Sequence, residues 1–195
     1  MAGLSPTALF TLWMEDAVQA GVAEPRVMSL ATVGRNNRPK VRVVTLGNFD
    51  DKGFVFETSS GSQKAADLEQ NPFAAISFYW GKLRRTVRIE GEAEKLPKDC
   101  ETAFEMLPKS HRIAIYTSEK QSHPTGDWEN VRESYERLKE KFSHTEKIPK
   151  PAFLRSYRVV PDSIQFMQDH ADDLADRFLF RKDDEGHWTF ERLYP

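Results

Sequence analysis

The chain has a single cysteine, Cys100, in 195 residues. No disulfide can form within it, and a metal site built from several thiolates is excluded. Its five histidines are His111, His123, His144, His170 and His187. No two share the spacing that puts a pair of imidazoles on one helix face, so each reads as a satisfied or solvated side chain rather than a metal ligand. No apolar run approaches the ~20 residues of a membrane-crossing helix. Residues Met1 to Thr7 lack a basic stretch followed by an apolar one. Cytoplasmic residence is the expectation, with no membrane partner. Charge of one sign is also lacking. Lys and Arg number 28 against 30 Asp and Glu, a net charge of -2, which gives no field to gather nucleic acid. Gly-x-Gly-x-x-Gly, Walker and Gly-x-Ser-x-Gly loops are absent, as are internal repeats.

What is present is a run of short strand patterns. Ser5-Pro6 opens a helix, because an N-cap followed by proline suits the first turn. Leu9, Phe10, Trp13, Ala17 and Ala20 recur at helical spacing along residues 6–20, before Gly21. Strands are then predicted at 27–32, 41–46 and 54–58, separated by the turns Gly34-Arg35-Asn36-Asn37 and Asp50-Asp51-Lys52-Gly53. A short helix follows over Lys64 to Gln70 and ends at Asn71-Pro72. The apolar run Ala74 to Trp80 reads as a buried strand. Val87, Ile89 and Ala93 alternate with Arg88, Glu90 and Glu92 in the next one. By the same alternation Arg84 and Arg88 share a face and Arg85 takes the other, so the three make no continuous basic patch. Strands in meander order point to a closed or nearly closed barrel.

Beyond residue 97 the pattern changes. Lys98 to Leu107 reads as a helix stopped by Pro108. Ile113-Ala114-Ile115-Tyr116 is a short apolar segment, and 117–126 is a polar loop. Residues 128–142 form a second helix with Val131, Tyr135, Leu138 and Phe142 in one stripe. After the stiff Ile148-Pro149-Lys150-Pro151, strands are predicted at 157–160, 163–168, 177–181 and 188–193, the last two joined by the turn Asp183 to Gly186. The class is therefore mainly β with flanking helices (α+β). It is read as one domain over 1–195: an N-terminal helix (1–25), a barrel core (26–97), a helical segment (98–150) and C-terminal strands (151–195).

The candidate anion site lies where the strand Phe54-Val55-Phe56 runs through Thr58-Ser59-Ser60-Gly61 into the helix opening near Ser62. Hydroxyls and free backbone N–H groups converge there, and Lys64 adds charge. The plainer reading stays open: Ser62 an ordinary N-cap, Lys64 a solvated cation. Asp172, Asp173 and Asp176 read as solvated loop charge rather than a cation site.

Taken in order, several stretches carry a resemblance: Met28-Ser29-Leu30-Ala31-Thr32, Arg42-Val43-Val44, Gly53-Phe54-Val55-Phe56, Ser62-Gln63-Lys64, Val87-Arg88-Ile89-Glu90-Gly91, Lys120-Gln121-Ser122, Asp176-Arg177-Phe178 and Arg192-Leu193-Tyr194-Pro195. The chain resembles the pyridoxine (pyridoxamine) 5′-phosphate oxidases from about Phe10 to Pro195. The resemblance implies an FMN-binding split β-barrel, a homodimer with FMN at the subunit interface, and an oxidase that passes a hydride from substrate to flavin and then reoxidises with O₂. It also implies FMN contacts at Arg42, Val43, Val44, Thr58, Ser62, Gln63, Lys64, Thr86, Gln121, Ser122, Met167 and Arg177. Gln63 stands where the family usually has Arg, Thr86 where it has Gln, Met167 where it has Trp, and Glu57 where it has Tyr. Ser-Gln-Lys also occurs in the related oxidases of phenazine biosynthesis.

The substrate side departs further. The family grips the phosphorylated vitamer with Lys, Tyr, Arg, Ser and an Arg-x-His motif, at positions that hold Gly47, Ala103, Leu107, His111, Asp173 and Ala175 here. A phosphate clamp that loses its cations, each charge-assisted bond worth roughly 1.5–3 kcal/mol, cannot hold a phosphate dianion tightly. The expectation is an FMN-dependent oxidoreductase with a non-standard small-molecule substrate, such as a heteroaromatic dihydro compound. His111 either replaces a lost ligand or fills space, the latter preferred. The alternatives are a non-catalytic flavin-binding scaffold and a genuine pyridoxine phosphate oxidase. No catalytic side chain is singled out.

Overall fold

The computed structural model describes residues 5–97, 103–172 and 174–195. The expected helix over Lys98 to Leu107 falls largely outside these, as does Asp173. Residues 103–106 form a 3₁₀ turn, and Pro108 caps the next helix rather than only ending the previous one.

Among the described residues, eight strands make one antiparallel sheet. They are β1 (27–33), β2 (39–50), β3 (53–59), β4 (73–80), β5 (85–95), β6 (154–169), β7 (175–182) and β8 (188–193). The order is β3-β2-β1-β4-β5-β6-β7-β8, with β3 also paired to β6. That extra pairing closes the first six strands into a barrel and leaves β7 and β8 as an extension. Closure depends on β6. One of its edges pairs with β5 along 157–168, while the other pairs with β3 over 154–159 and then with β7 over 163–169. The two strands predicted at 157–160 and 163–168 are thus one. Pro161, at the handover between partners, breaks the sequence pattern without breaking the strand, since it falls where β6 changes neighbours. A register shift at Glu90/Gly91 bends β5 around it. A Cβ at Gly91 would sit 2.0 Å from the Val160 carbonyl oxygen, so only glycine fits.

The helix α1 (6–19) starts as its sequence dictates: Ser5 Oγ accepts from the Ala8 N–H, and Pro6 follows. Its apolar face, Leu9, Phe10, Trp13, Met14 and Ala17, is buried against the barrel. Phe10 is fully buried, with its ring 4.9 Å from Phe49, 5.0 Å from Phe54 and 5.2 Å from Phe78. Phe10 therefore packs among β2, β3 and β4 as part of the main core. Helix α2 (63–68) follows β3. Helices α3 (109–116) and α4 (128–141) build a second, smaller core from Phe104, Ile113, Phe142, Ile148 and Leu154. The apolar run at Ile113 is therefore helical: within 109–116 Ile113 is buried, and Ile115 and Tyr116 pack half-buried against the same core. No helix among the described residues is long and apolar enough to cross a membrane.

Candidate functional site

The end of β3, the start of α2 and the loop after α3 meet at one cluster. Ser62 does cap α2, its Oγ accepting from the Ala65 N–H at 3.3 Å. Lys64, however, is not solvated. It is 5% exposed, and its Nζ donates to Thr58 Oγ1 at 3.1 Å and to Gln121 Oε1 at 3.0 Å. Thr58 Oγ1 also lies 3.1 Å from Ser62 Oγ and donates to Gln121 Oε1 at 3.1 Å. These partners are all neutral. Burial first, and then the nearby Arg42 guanidinium, together pull the Lys64 ammonium down to about 8. A buried cation with neutral acceptors and a cationic neighbour is short of an anion. A phosphate, with several charged acceptor oxygens, satisfies that deficit.

Arg42, on β2, is positioned from behind. Its NH1 donates to the Leu30 carbonyl at 3.1 Å and to Thr32 Oγ1 at 2.7 Å. Its NH2 lies 3.6 Å from Asp67 Oδ2. Asp67 is 2% exposed and accepts from Thr32 Oγ1 (2.9 Å), Lys40 Nζ (2.7 Å) and Gln63 Nε2 (3.1 Å). Burial raises its carboxyl, but the hydrogen bonds from Lys40, Thr32 and Gln63 outweigh it together and leave it below the usual range. Sequence reasoning missed Asp67, Thr32 and Lys40. The available signal was slight: Asp67 is three residues past Lys64 on a short helix, hence on the same face.

Not all the expected residues join this cluster. Gln63 bonds Asp67 rather than the partners of Lys64. Val44 shares the Arg42 face and packs toward the core, whereas Val43 is 69% exposed on the opposite face. Glu57 pairs with Lys150 at 3.0 Å. Ser122 sits next to Gln121 with a left-handed backbone, φ 73°. Thr86, Met167 and Arg177 lie elsewhere, as one cross-strand row over β5, β6 and β7. In that row Arg177 NH1 reaches the Tyr194 carbonyl at 3.5 Å, and its Nε is buried with no partner among the described residues.

Of the substrate-side positions, Gly47 sits at the β2 bulge with its carbonyl accepting from Arg26 at 2.8 Å. Leu107 is half-buried, Ala175 begins β7, and His111 is exposed on α3, so it fills no space in the core. Ala103 begins the 3₁₀ turn. Asp176 pairs with Arg192 and lies 3.1 Å from His170 Nε2, which removes it from any loose acidic cluster. The basic trio also resolves differently. Arg84 is left-handed at φ 53°, outside β5, so strand alternation does not reach it. Arg85 lies on the Trp13 ring at 4.5 Å and bonds Asp16 and Gln168.

Residues 14–141 match the family described as pyridoxamine 5′-phosphate oxidase, and residues 155–195 match the pyridoxine 5′-phosphate oxidase C-terminal dimerisation region. The chain belongs to the pyridoxamine 5′-phosphate oxidase family. It is 40% identical over 192 residues to the pyridoxine/pyridoxamine 5′-phosphate oxidase of Alteromonas mediterranea, covering 98% of this chain and 90% of that one. It is 41% identical over 191 residues to the enzyme of the same name from Psychromonas ingrahamii, covering 97% and 87%. The crystal structure of PhzG from Burkholderia lata, in complex with tetrahydrophenazine-1-carboxylic acid, superposes with TM-score 0.87 at 26% identity over 98% of this chain and 93% of that one. A pyridoxamine 5′-phosphate oxidase-related, FMN-binding protein from Nostoc punctiforme shares the fold, with TM-score 0.77 at 19% identity over 99% of both chains. The dimerisation match spans β6 to β8 and indicates a homodimer. Family membership implies a flavin cofactor.

Proposed function

We propose that the chain is an FMN-dependent oxidoreductase whose substrate is not a phosphorylated pyridoxine vitamer. The buried Lys64, with only neutral partners, carries the cofactor half of this reading. Arg42, Lys64 and the hydroxyls of Thr58 and Ser62 hold the cofactor's phosphate. Gln121 Oε1, now bonded to Lys64, stands in for one phosphate oxygen. When bound, FMN would supply the hydride acceptor, with O₂ as the final oxidant. The protein's share is binding, orientation and exclusion of water. The unpartnered Nε of Arg177 supports a second set of contacts from the row Thr86, Met167 and Arg177, which one copy offers to the cradle of the other in the homodimer.

The substrate half rests on Gly47, Leu107 and His111, where the phosphate-gripping side chains of the family are replaced. A less anionic, larger molecule of the heteroaromatic dihydro class suits such a pocket, and the likeness to PhzG supports that class. The second reading, pyridoxine or pyridoxamine 5′-phosphate oxidation, is favoured by the names and 40–41% identity of the curated relatives. The test is anaerobic mixing of the FMN-loaded protein with each substrate class while the flavin absorbance is followed. Bleaching by a dihydro heteroaromatic and not by pyridoxine 5′-phosphate is expected. Bleaching and pyridoxal phosphate formation at micromolar pyridoxine 5′-phosphate would establish the second reading instead. No bleaching by any donor would leave a flavin-binding scaffold.

A further inference from the structure

We infer that Asp67 is the positioning residue of the phosphate cradle, a shared buried carboxylate that holds Arg42 in place beside Lys64. The inference rests on the FMN reading above. Its basis is the geometry on both carboxylate oxygens. Oδ1 accepts from Lys40 and Gln63, which line a surface cleft of about 410 Å³ together with Arg35, Asn36 and Gln70. Oδ2 accepts from Thr32 and faces Arg42. Thr32 works in both directions, donating to Asp67 and accepting from Arg42. One anion therefore ties β1, β2 and α2 together at the point where the cations collect.

The arrangement answers a problem that the cradle poses. Arg42 and Lys64 are close enough to repel: after burial, the Arg42 charge is the second cause that lowers the proton affinity of Lys64. Without an anion, two such cations drift apart, and a phosphate that binds them must first bring them back together. A fixed carboxylate behind Arg42 prevents the drift, so the phosphate meets donors already in place. Asp67 takes no part in touching the phosphate. Gln63 belongs to the same device: it donates to Asp67 and adds no third cation to the cradle.

The sign of the effect separates this from simple charge counting. Asp67→Asn is nearly isosteric and raises the local charge by one, so Coulomb attraction alone would tighten a phosphate. The positioning role predicts the reverse. An amide offers one acceptor oxygen to four converging donors, and its NH₂ meets either Lys40 or Arg42. The experiment titrates the intact protein with FMN and, separately, with riboflavin, which lacks the phosphate, by quenching of flavin fluorescence. For Asp67→Asn, FMN is expected to bind about tenfold more weakly, the value of one hydrogen bond to a charged group, with riboflavin unchanged. Thr32→Val, a milder change at the same hinge, should move the FMN-to-riboflavin ratio in the same direction by less, and it carries the test if Asp67→Asn does not fold. Equal or tighter FMN binding by the variants overturns the role. So does a parallel loss for both ligands, which marks a general structural contribution. A wild-type protein with no preference for FMN over riboflavin overturns the FMN reading itself, and the Asp67 role with it.

Discussion

Replacing Lys64 with Met should leave the unliganded protein about as stable as before and weaken its grip on FMN, a split that a purely structural lysine cannot give. The ammonium is held at about 8 against an ordinary 10.5, which at 1.36 kcal/mol per unit is at most about 3 kcal/mol of unfavourable burial. Methionine fills the same channel without that cost. Two charge-assisted hydrogen bonds, to Thr58 and Gln121, are lost with the lysine, at about 1.5 kcal/mol each. The two nearly cancel, so the melting temperature of the unliganded variant should stay within about 3 °C of wild type. FMN loses a charge-assisted contact worth about 1.5–3 kcal/mol, so its Kd rises by about 10- to 150-fold. Thermal unfolding without ligand and a fluorescence titration with FMN measure the two halves. A destabilised variant with unchanged FMN affinity would refute the reasoning and make Lys64 a structural residue.

Further outcomes follow from the same structure. Because the folded Lys64 binds its proton less tightly than the unfolded one, the unfolded state carries more protons between about pH 8 and 10.5, so unliganded stability contributed by this group rises with pH across that window. Urea melts of wild type and Lys64→Met at pH 7 and 9.5 should show the wild type gaining on the variant at the higher pH. Bound phosphate favours the charged ammonium, so FMN affinity should fall as pH passes about 8, and isothermal titration in buffers of different ionisation enthalpy should detect proton uptake. Gly91→Ala puts a Cβ 2.0 Å from the Val160 oxygen, which should cost about 3 kcal/mol or more in stability, read from the urea midpoint. Leu107→Arg restores one family cation and should lower the KM for pyridoxine 5′-phosphate about tenfold if the lost clamp explains poor use of that substrate.

The barrel was legible because its strands alternate or run apolar between turns that glycine and aspartate mark. Helix α1 was legible because Ser5-Pro6 and Leu9, Phe10, Trp13 set both its start and its buried face. What the sequence hid depended on long-range register. Pro161 looks like a strand break until β6 is seen to change partners there. Arg84 looks like part of the β5 alternation, but a single left-handed residue removes it. Ile113 to Tyr116 is too short to tell strand from helix by composition. In the site, Lys64, Thr58 and Ser62 were named from the strand-to-helix turn and Gln121 through the family resemblance, though a solvated Lys64 was the preferred reading of the turn alone. Asp67 was silent because a lone carboxylate on a surface-like helix reads as solvated until β1 and β2 place Thr32, Lys40 and Arg42 against it.

The central claim is that a buried, anion-short cradle holds the phosphate of FMN. Titration of the purified wild-type protein with FMN, followed by its visible absorbance and by fluorescence quenching, tests it most directly. One FMN per chain, bound more tightly than riboflavin and displaced by inorganic phosphate at high concentration, is the predicted result. A colourless protein that takes up no added FMN would contradict it.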